Sequence, residues 1–215
     1  MSASGVSNRC RIVLIVPPHA SASDIAAAMA GGDVASVILP QFDADERAFQ
    51  DRAEAIAPLV QQAGAAFIIA GDSKTAGRVG ADGIHVEVRP ADLTNIVDRN
   101  AGRIIVGAGG MKTRHDALET GEAGPDYLFF GKFGFDTLPE PHPRNLALGQ
   151  WWSEMVEIPA IVMAGNTIAS AEEVAMTGAD FVALSQAVFG PGVDPRQAVA
   201  QINQLLDDKA PHFKE

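Results

Sequence analysis

Eight short apolar runs, separated by segments of helical periodicity, constrain this chain more than any other feature. The strand candidates are Ile12–Val16, Val34–Leu39, Ala66–Ala70, Gly83–Val86, Ile104–Gly107, Tyr127–Phe130, Ala160–Met163 and Phe181–Leu184. They are rich in Val, Ile and Phe and do not alternate with polar residues, the pattern of strands buried on both faces. Between them, "DERAFQDRAEAIAPLVQQAG" puts Phe49, Ala53, Ile56 and Val60 on one helical face. "SAEEVAMTGAD" opens with Ser170 as a cap and Glu173 three residues on. "DPRQAVAQINQLLDD" has Asp194 as cap, Pro195 in the first turn and Val199, Ile202 and Leu206 inward.

A small pattern recurs where helices hand over to strands: "TGADFVAL" from Thr177, "GADGIHV" from Gly80, "GPDYLFFG" from Gly124, and a looser "AGAAFIIAG" from Ala63. Glycine ends a helix in a left-handed conformation that other residues resist. The aspartate then bonds backbone at the strand's entrance. The pattern recurs because the unit recurs, so Asp82, Asp126 and Asp180 read as structural. Eight such units in 215 residues predict a single α/β domain, a closed (β/α)8 TIM barrel. Residues 1–10 read as a loose tail, 11–209 as the barrel and 210–215 as a C-terminal tail. An open doubly wound sheet is the alternative. Against it, "PPHASAS" stands after the first strand where such a sheet carries G-x-G-x-x-G.

Composition narrows the partners. Sixteen Lys and Arg against 27 Asp and Glu give a net charge of −11, which repels nucleic acid and anionic membranes. No apolar stretch reaches the roughly 18 residues of a membrane span. The sole cysteine, Cys10, excludes an internal disulfide and a cysteine metal cluster, and reads as a buried, inert thiol. The opening residues lack the apolar core of a signal peptide, so a cytoplasmic location is expected. A homodimer is compatible with the sequence.

In such a barrel the chemistry lies just after each strand. The residues there are His19, Gln41, Asp72 with Lys74, His85 with Glu87 and Arg89, Lys112, Lys132 with Asp136, Gly165-Asn166-Thr167 and Ser185-Gln186-Ala187. "MAGNTIASAEEV" and "LSQAVFG" follow strands seven and eight, the pair of loops that holds phosphate in many barrels. Gly165, Asn166, Ser185, Gln186 and Ala187 are the phosphate-binding candidates, and an ordinary turn is the alternative. "FFGKFGFDTLPEPHPRNLALG" has the look of a lid. Its Lys132 is either a partner for an anionic substrate or a solvated lysine. His85 and Glu87 alternate along strand four, so they form an acid–base pair or a weak pair of metal ligands if they face the top of the barrel interior, or His85 is a bonded structural histidine. Asp72 is either a carboxylate that holds Mg²⁺ with waters or a cap for the following helix.

"GRVGADGIHV", "AGPDYLFFGKF", "IPAIVMAGNTIASAEEVAMTGADFVALSQAVFG" and "DPRQAVAQI" together resemble thiamine-phosphate synthase and its relative, the thiazole tautomerase. The likeness runs from about Val34 to Ile202. The resemblance implies a transferase of thiamine biosynthesis that joins a pyrimidine-methyl diphosphate to a thiazole phosphate and releases diphosphate with Mg²⁺. It places an arginine and a lysine after strand two on Pro40 and Phe42, and an Asn-Asp pair after strand three on Ala70 and Gly71, beside Asp72. It places a second carboxylate near Pro90, a serine on Gly109 and the lid lysine near Pro139. The thiazole-phosphate side falls on Ala164-Gly165-Asn166 and Ser185-Gln186-Ala187. In the tautomerase a proton-shuttling histidine stands at the position of Lys132. The resulting assignment has Lys132, His85 and Glu87 as catalytic, Gln41, Asp72, Gly109 and Asp136 as substrate-binding, and no metal ligand. The chain is expected to keep the phosphate end and to bind Mg²⁺ weakly or not at all. A non-catalytic phosphate-binding paralogue, and an isomerase or lyase centred on Lys132, are the other outcomes.

Overall fold

The computed structural model describes residues 8–213. Its strands are β1 Arg11–Ile15, β2 Ser36–Pro40, β3 Ala66–Ala70, β4 Gly83–Val86, β5 Ile105–Ala108, β6 Tyr127–Phe130, β7 Ala160–Met163 and β8 Phe181–Leu184. They pair in that order, all parallel, and β8 closes on β1 through Ile12 opposite Val182. The (β/α)8 barrel expected from the repeats is the fold. Helices α1 Ala22–Met29, α2 Glu46–Gln62, α3 Ser73–Val79, α4 Pro90–Asn100, α5 Arg114–Glu122, α6 Pro143–Met155, α7 Ser170–Ala175, α8 Gln186–Phe189 and α9 Pro195–Lys209 complete it. Among the described residues, no helix is long and apolar enough to cross a membrane.

The unbroken apolarity of the strands has a direct cause. Val13, Ile15, Ile38, Ile68, Phe129, Ile161 and Met163 form one cluster within the barrel. Their neighbours Ile12, Leu14, Val37, Leu39, Phe67, Ile69, Phe130 and Val162 belong to a second cluster with the helices. Burying each such side chain stabilises the fold by about 1.5–3 kcal/mol. Inside the barrel, large and small residues complement one another: a Cβ on Gly107 would overlap the Tyr127 ring. Phe49, Ala53, Ile56 and Val60 of α2 and Val199, Ile202 and Leu206 of α9 are all buried.

The recurrent turns behave as their composition requires. Gly80 and Gly178 both take positive φ, 63° and 81°, where a Cβ would be strained. The aspartates reach sideways rather than into their own strands. Asp82 accepts from Phe67 N at 2.8 Å, Asp126 from Val106 N at 2.7 Å and Asp180 from Ala160 N at 2.7 Å. Each carboxylate before an even strand thus satisfies a backbone N–H of the preceding odd strand and locks the pair in register. A charge-assisted bond of this kind contributes about 1.5–3 kcal/mol.

Of the expected N-terminal tail, residues 1–7 lie outside the described residues, as do 214 and 215 of the C-terminal one. Arg9 and Cys10 are buried. Arg9 donates to Asp207 Oδ1 at 2.7 Å and Asn203 Oδ1 at 3.1 Å, both on α9, and forms a bridge with His212. Burial pushes the Cys10 thiol up to about 12.

Candidate active site

The C-terminal ends of β2, β3, β4 and β6 surround a cavity of about 400 Å³. Gln41, His85, Glu87 and Lys132 line it together with Phe42 and Phe133. The lid after β6 places Lys132 between this cavity and a second one of about 470 Å³, which reaches Asp136, Arg144 and Met163. Lys132 Nζ stands 4.1 Å from the centroid of the Phe135 ring. Three expected catalytic residues therefore share one space.

His85 is the third residue of β4 and is 4% exposed. It sits among Tyr127, Phe129 and Phe133, with ring centroids 5.8, 5.5 and 5.1 Å away. Loss of solvent around the ring lowers its pKa to about 3, so the imidazole is neutral at physiological pH. Its Nδ1 lies 3.1 Å from the Tyr127 hydroxyl, whose own pKa burial raises. The other nitrogen, Nε2, is buried with no partner among the described residues. It faces Gly109, where a Cβ would lie 2.7 Å from Nε2 and 3.5 Å from Glu87 Oε1. Gly109 thus leaves a clear space beside two candidate catalytic groups. One nitrogen is thus bonded within the barrel, as the structural reading expects, and the other has no partner among the described residues.

Asp72 serves first as a cap, accepting from Lys74 N at 3.2 Å, while its own N–H donates to Gln41 Oε1 at 3.2 Å. Its second oxygen, Oδ2, is buried and unpartnered. Phe42, at the cavity rim, holds φ at 47°, a conformation that is uncommon for a non-glycine residue.

On the opposite side, the loops after β7 and β8 come together, but their backbone donors are engaged. Gly165 N donates to Ser170 Oγ at 3.1 Å, and Asn166 N donates to Leu138 O of the lid at 2.8 Å. Gln186 N donates to Asp136 Oδ2 at 2.6 Å. Asp136 is only 3% exposed, its Oδ1 has no partner among the described residues, and burial raises its pKa. Ser185 and Ala187 are buried beside this bond. The Ser170 expectation needs correction. It lies inside α7, whose cap is Ala169, because its hydroxyl turns back to donate to Thr167 O at 2.6 Å and receive the Gly165 N–H.

Tyr127, Phe133 and Phe42 did not stand out in the sequence. The one available signal for Tyr127 was its partner, Gly107, in the middle of an otherwise bulky strand set.

A family model described as thiamine monophosphate synthase matches residues 12–188. The chain belongs to this family. It is 37% identical over 205 residues to thiamine-phosphate synthase of Rhodospirillum centenum, covering 92% of this chain and 98% of that one. Against thiamine-phosphate synthase of Hyphomonas neptunium it is 30% identical over 212 residues, covering 94% and 96%. The solved thiamine phosphate pyrophosphorylase of Pyrococcus furiosus superposes with a TM-score of 0.78 at 23% identity, covering 94% of this chain and 97% of that one, and shares the fold.

Family membership brings with it a reaction that uses diphosphate and Mg²⁺, and the donor set can be tested against that ion. Magnesium needs near-octahedral oxygen ligation, commonly from one or two carboxylates plus phosphate and water. Where the resemblance places those carboxylates, the chain has Gly71 and Pro90, and Pro90 is the first residue of α4. Among the described residues no group of three His, Cys, Asp or Glu is arranged to hold a metal ion. Glu87 is the one carboxylate in the lining of the 400 Å³ cavity, which Asp72 does not join. The positions where the resemblance places the carboxylates carry no side-chain oxygen.

Proposed function

We propose that this family member binds a phosphorylated, thiazole-like small molecule at the mouth of its barrel but does not carry out the family's diphosphate-displacing condensation. The observation that carries this reading is the unequal make-up of the mouth. Its β7–β8 side retains a backbone-lined seat around Gly165 and Gln186, which is tolerant of side-chain change. On its β2–β5 side, Pro40 and Phe42 stand where the resemblance places the arginine and lysine, Gly71 where it places an aspartate and Gly109 where it places a serine. A diphosphate leaving group brings about three negative charges, and each lost charge-stabilising contact costs on the scale of ~2.7–4 kcal/mol of transition-state stabilisation. Several such losses lower the rate by many orders of magnitude. Of the cations in the loops after β3, β4 and β5, Arg89 is paired to Asp92 at 2.9 Å and Lys74 and Lys112 are solvent-exposed, while Lys132 lines the cavity from the lid.

The test is a coupled assay with both standard substrates and Mg²⁺, run beside an active family member. The expected outcome is no measurable thiamine phosphate. Turnover within about a hundredfold of the control would overturn the reading, a margin equal to about 2.7 kcal/mol of barrier. A second reading, proton transfer on the bound ligand, draws support from Lys132, Glu87 and the free Nε2 of His85 lying around one cavity. It is distinguished by solvent deuterium incorporation into the ligand, lost in Lys132→Ala.

A further inference from the structure

The phosphate seat of this reading is already filled, and by the protein itself. Asp136 lies in the lid, 50 residues before Gln186, yet its carboxylate receives the Gln186 N–H at 2.6 Å. One oxygen is used. The other is buried, faces no donor among the described residues, and belongs to a side chain that is 97% shielded on a 3% exposure. A buried anionic oxygen without a partner is costly, so the surrounding structure must hold it there.

The lid does hold it. Leu138 O accepts from Asn166 N at 2.8 Å, Thr137 O from Asn166 Nδ2 at 3.0 Å, and Pro139 O from Thr167 Oγ1 at 2.9 Å. Gly165 makes the approach feasible, since a Cβ there would lie 2.6 Å from Pro139 C and 2.8 Å from Glu140 C. The docking also leaves apolar surface uncovered: Phe135 is 66% exposed and Leu138 65%. The lid is thus fastened by polar bonds to the same two loops that a ligand phosphoryl would use, while its Phe135 and Leu138 are left exposed.

We propose that Asp136 is a tethered stand-in for the ligand's phosphoryl group. Its carboxylate occupies the seat between the loops after β7 and β8, and a phosphorylated ligand binds by displacing it and releasing the lid. This rests on the phosphate-ligand reading above and adds a device to it. A phosphoryl group outcompetes the carboxylate because it carries up to two charges and three acceptor oxygens against one charge and two. The tether gives Asp136 a local concentration in the millimolar range, so the measured affinity is the intrinsic affinity multiplied by the undocked fraction. The second cavity, bounded by Asp136, Lys132 and Arg144, provides room on the lid side and two cations toward an incoming anion. Ligands without a phosphoryl group have nothing to exchange for the Asp136 bond and leave the lid docked.

Calorimetric titration of the wild type, Asp136→Ala and Asp136→Asn with inorganic phosphate and with thiazole phosphate tests this. Asp136→Ala is expected to tighten both by about tenfold, within the usual 5–150-fold range of such couplings. Asp136→Asn keeps an acceptor oxygen for the Gln186 N–H and is expected to stay close to the wild type. Equal or weaker binding in Asp136→Ala would overturn the stand-in while leaving the phosphate-ligand reading in place. Absence of binding in all three proteins would overturn both. A second measurement needs no variant. Amide exchange of Asn166 and Gln186 in the wild type separates lid from seat: thiazole phosphate is expected to speed exchange at Asn166, which loses Leu138 O, and to keep Gln186 protected. Unchanged or slower exchange at Asn166 with ligand bound would overturn the displacement.

Discussion

The two ends of the barrel treat polar groups in opposite ways. At the end where strands begin, Asp82, Asp126 and Asp180 each meet a backbone N–H at 2.7–2.8 Å. At the end where strands finish, four buried side-chain atoms are without a partner among the described residues: Asp72 Oδ2, Thr75 Oγ1, His85 Nε2 and Asp136 Oδ1. The same fold thus spends its aspartates on register at one end and leaves them unsatisfied at the other. Buried polar groups in folded proteins are overwhelmingly paired, so these four exceptions set the mouth apart from the base.

The contrast is broken most severely by acid. His85 holds a folded pKa of about 3 against an ordinary 6.5, so between those values the unfolded chain binds more protons than the folded one. Stability is then full above about 6.5 and is lost as pH falls toward 3, by up to about 1.4 kcal/mol per pH unit. His85→Phe is expected to flatten this part of a urea-denaturation pH series. An acid limb unchanged in slope would show that the mouth histidine is not held neutral.

At the other end, Asp126→Ala leaves Val106 N unpaired at the edge of the barrel. A loss of about 1–3 kcal/mol is expected, with Asp180→Ala similar, read as a fall in the denaturation midpoint. A neutral result at both positions would remove the difference between the ends. Smaller still is the effect of Asp136→Asn. Burial raises the Asp136 pKa, so the folded state binds more protons and the wild type loses stability as pH rises through that window. The Asn variant is expected to lack this loss and to be at least as stable at neutral pH, whereas a destabilised variant would mean the carboxylate supports the fold. The least perturbing probe is Cys10. With its thiol pushed up to about 12, only about one molecule in ten thousand carries thiolate at pH 8. Alkylation should therefore proceed only at the rate of unfolding, and rapid labelling of native protein would contradict its burial.

The strands were legible because both-face burial writes itself into consecutive residues; β3, β4, β6, β7 and β8 have the boundaries read from the sequence. The aspartate turns were legible because they recur. The mouth was legible only as far as the barrel dictates: Gln41, His85, Glu87 and Lys132 line one cavity since each lies at or just after the C-terminal end of a strand. What was hidden depends on chain segments meeting through space. Asp136 reads as a lid acid near Lys132, and its bond to Gln186 follows from the lid folding back across β7. Ser170 reads as a helix cap, and its hydroxyl instead closes the turn at Gly165 because the chain there coils one residue early. Arg9 reads as tail, and only the proximity of Asp207 and Asn203 on α9 gives its charge a buried partner.

The central claim, a mouth that keeps a phosphate seat without the metal–diphosphate cluster, is tested most directly by thermal unfolding of the wild type with two ligand sets. Thiazole phosphate at a hundredfold excess over its Kd contributes about 2.7 kcal/mol, which for a domain of this size raises Tm by roughly 5–10 °C. Mg²⁺ is expected to add nothing to the Tm reached with diphosphate alone over the same concentrations. A further rise on adding Mg²⁺ as large as that with thiazole phosphate would contradict the account and restore the full reaction to this barrel.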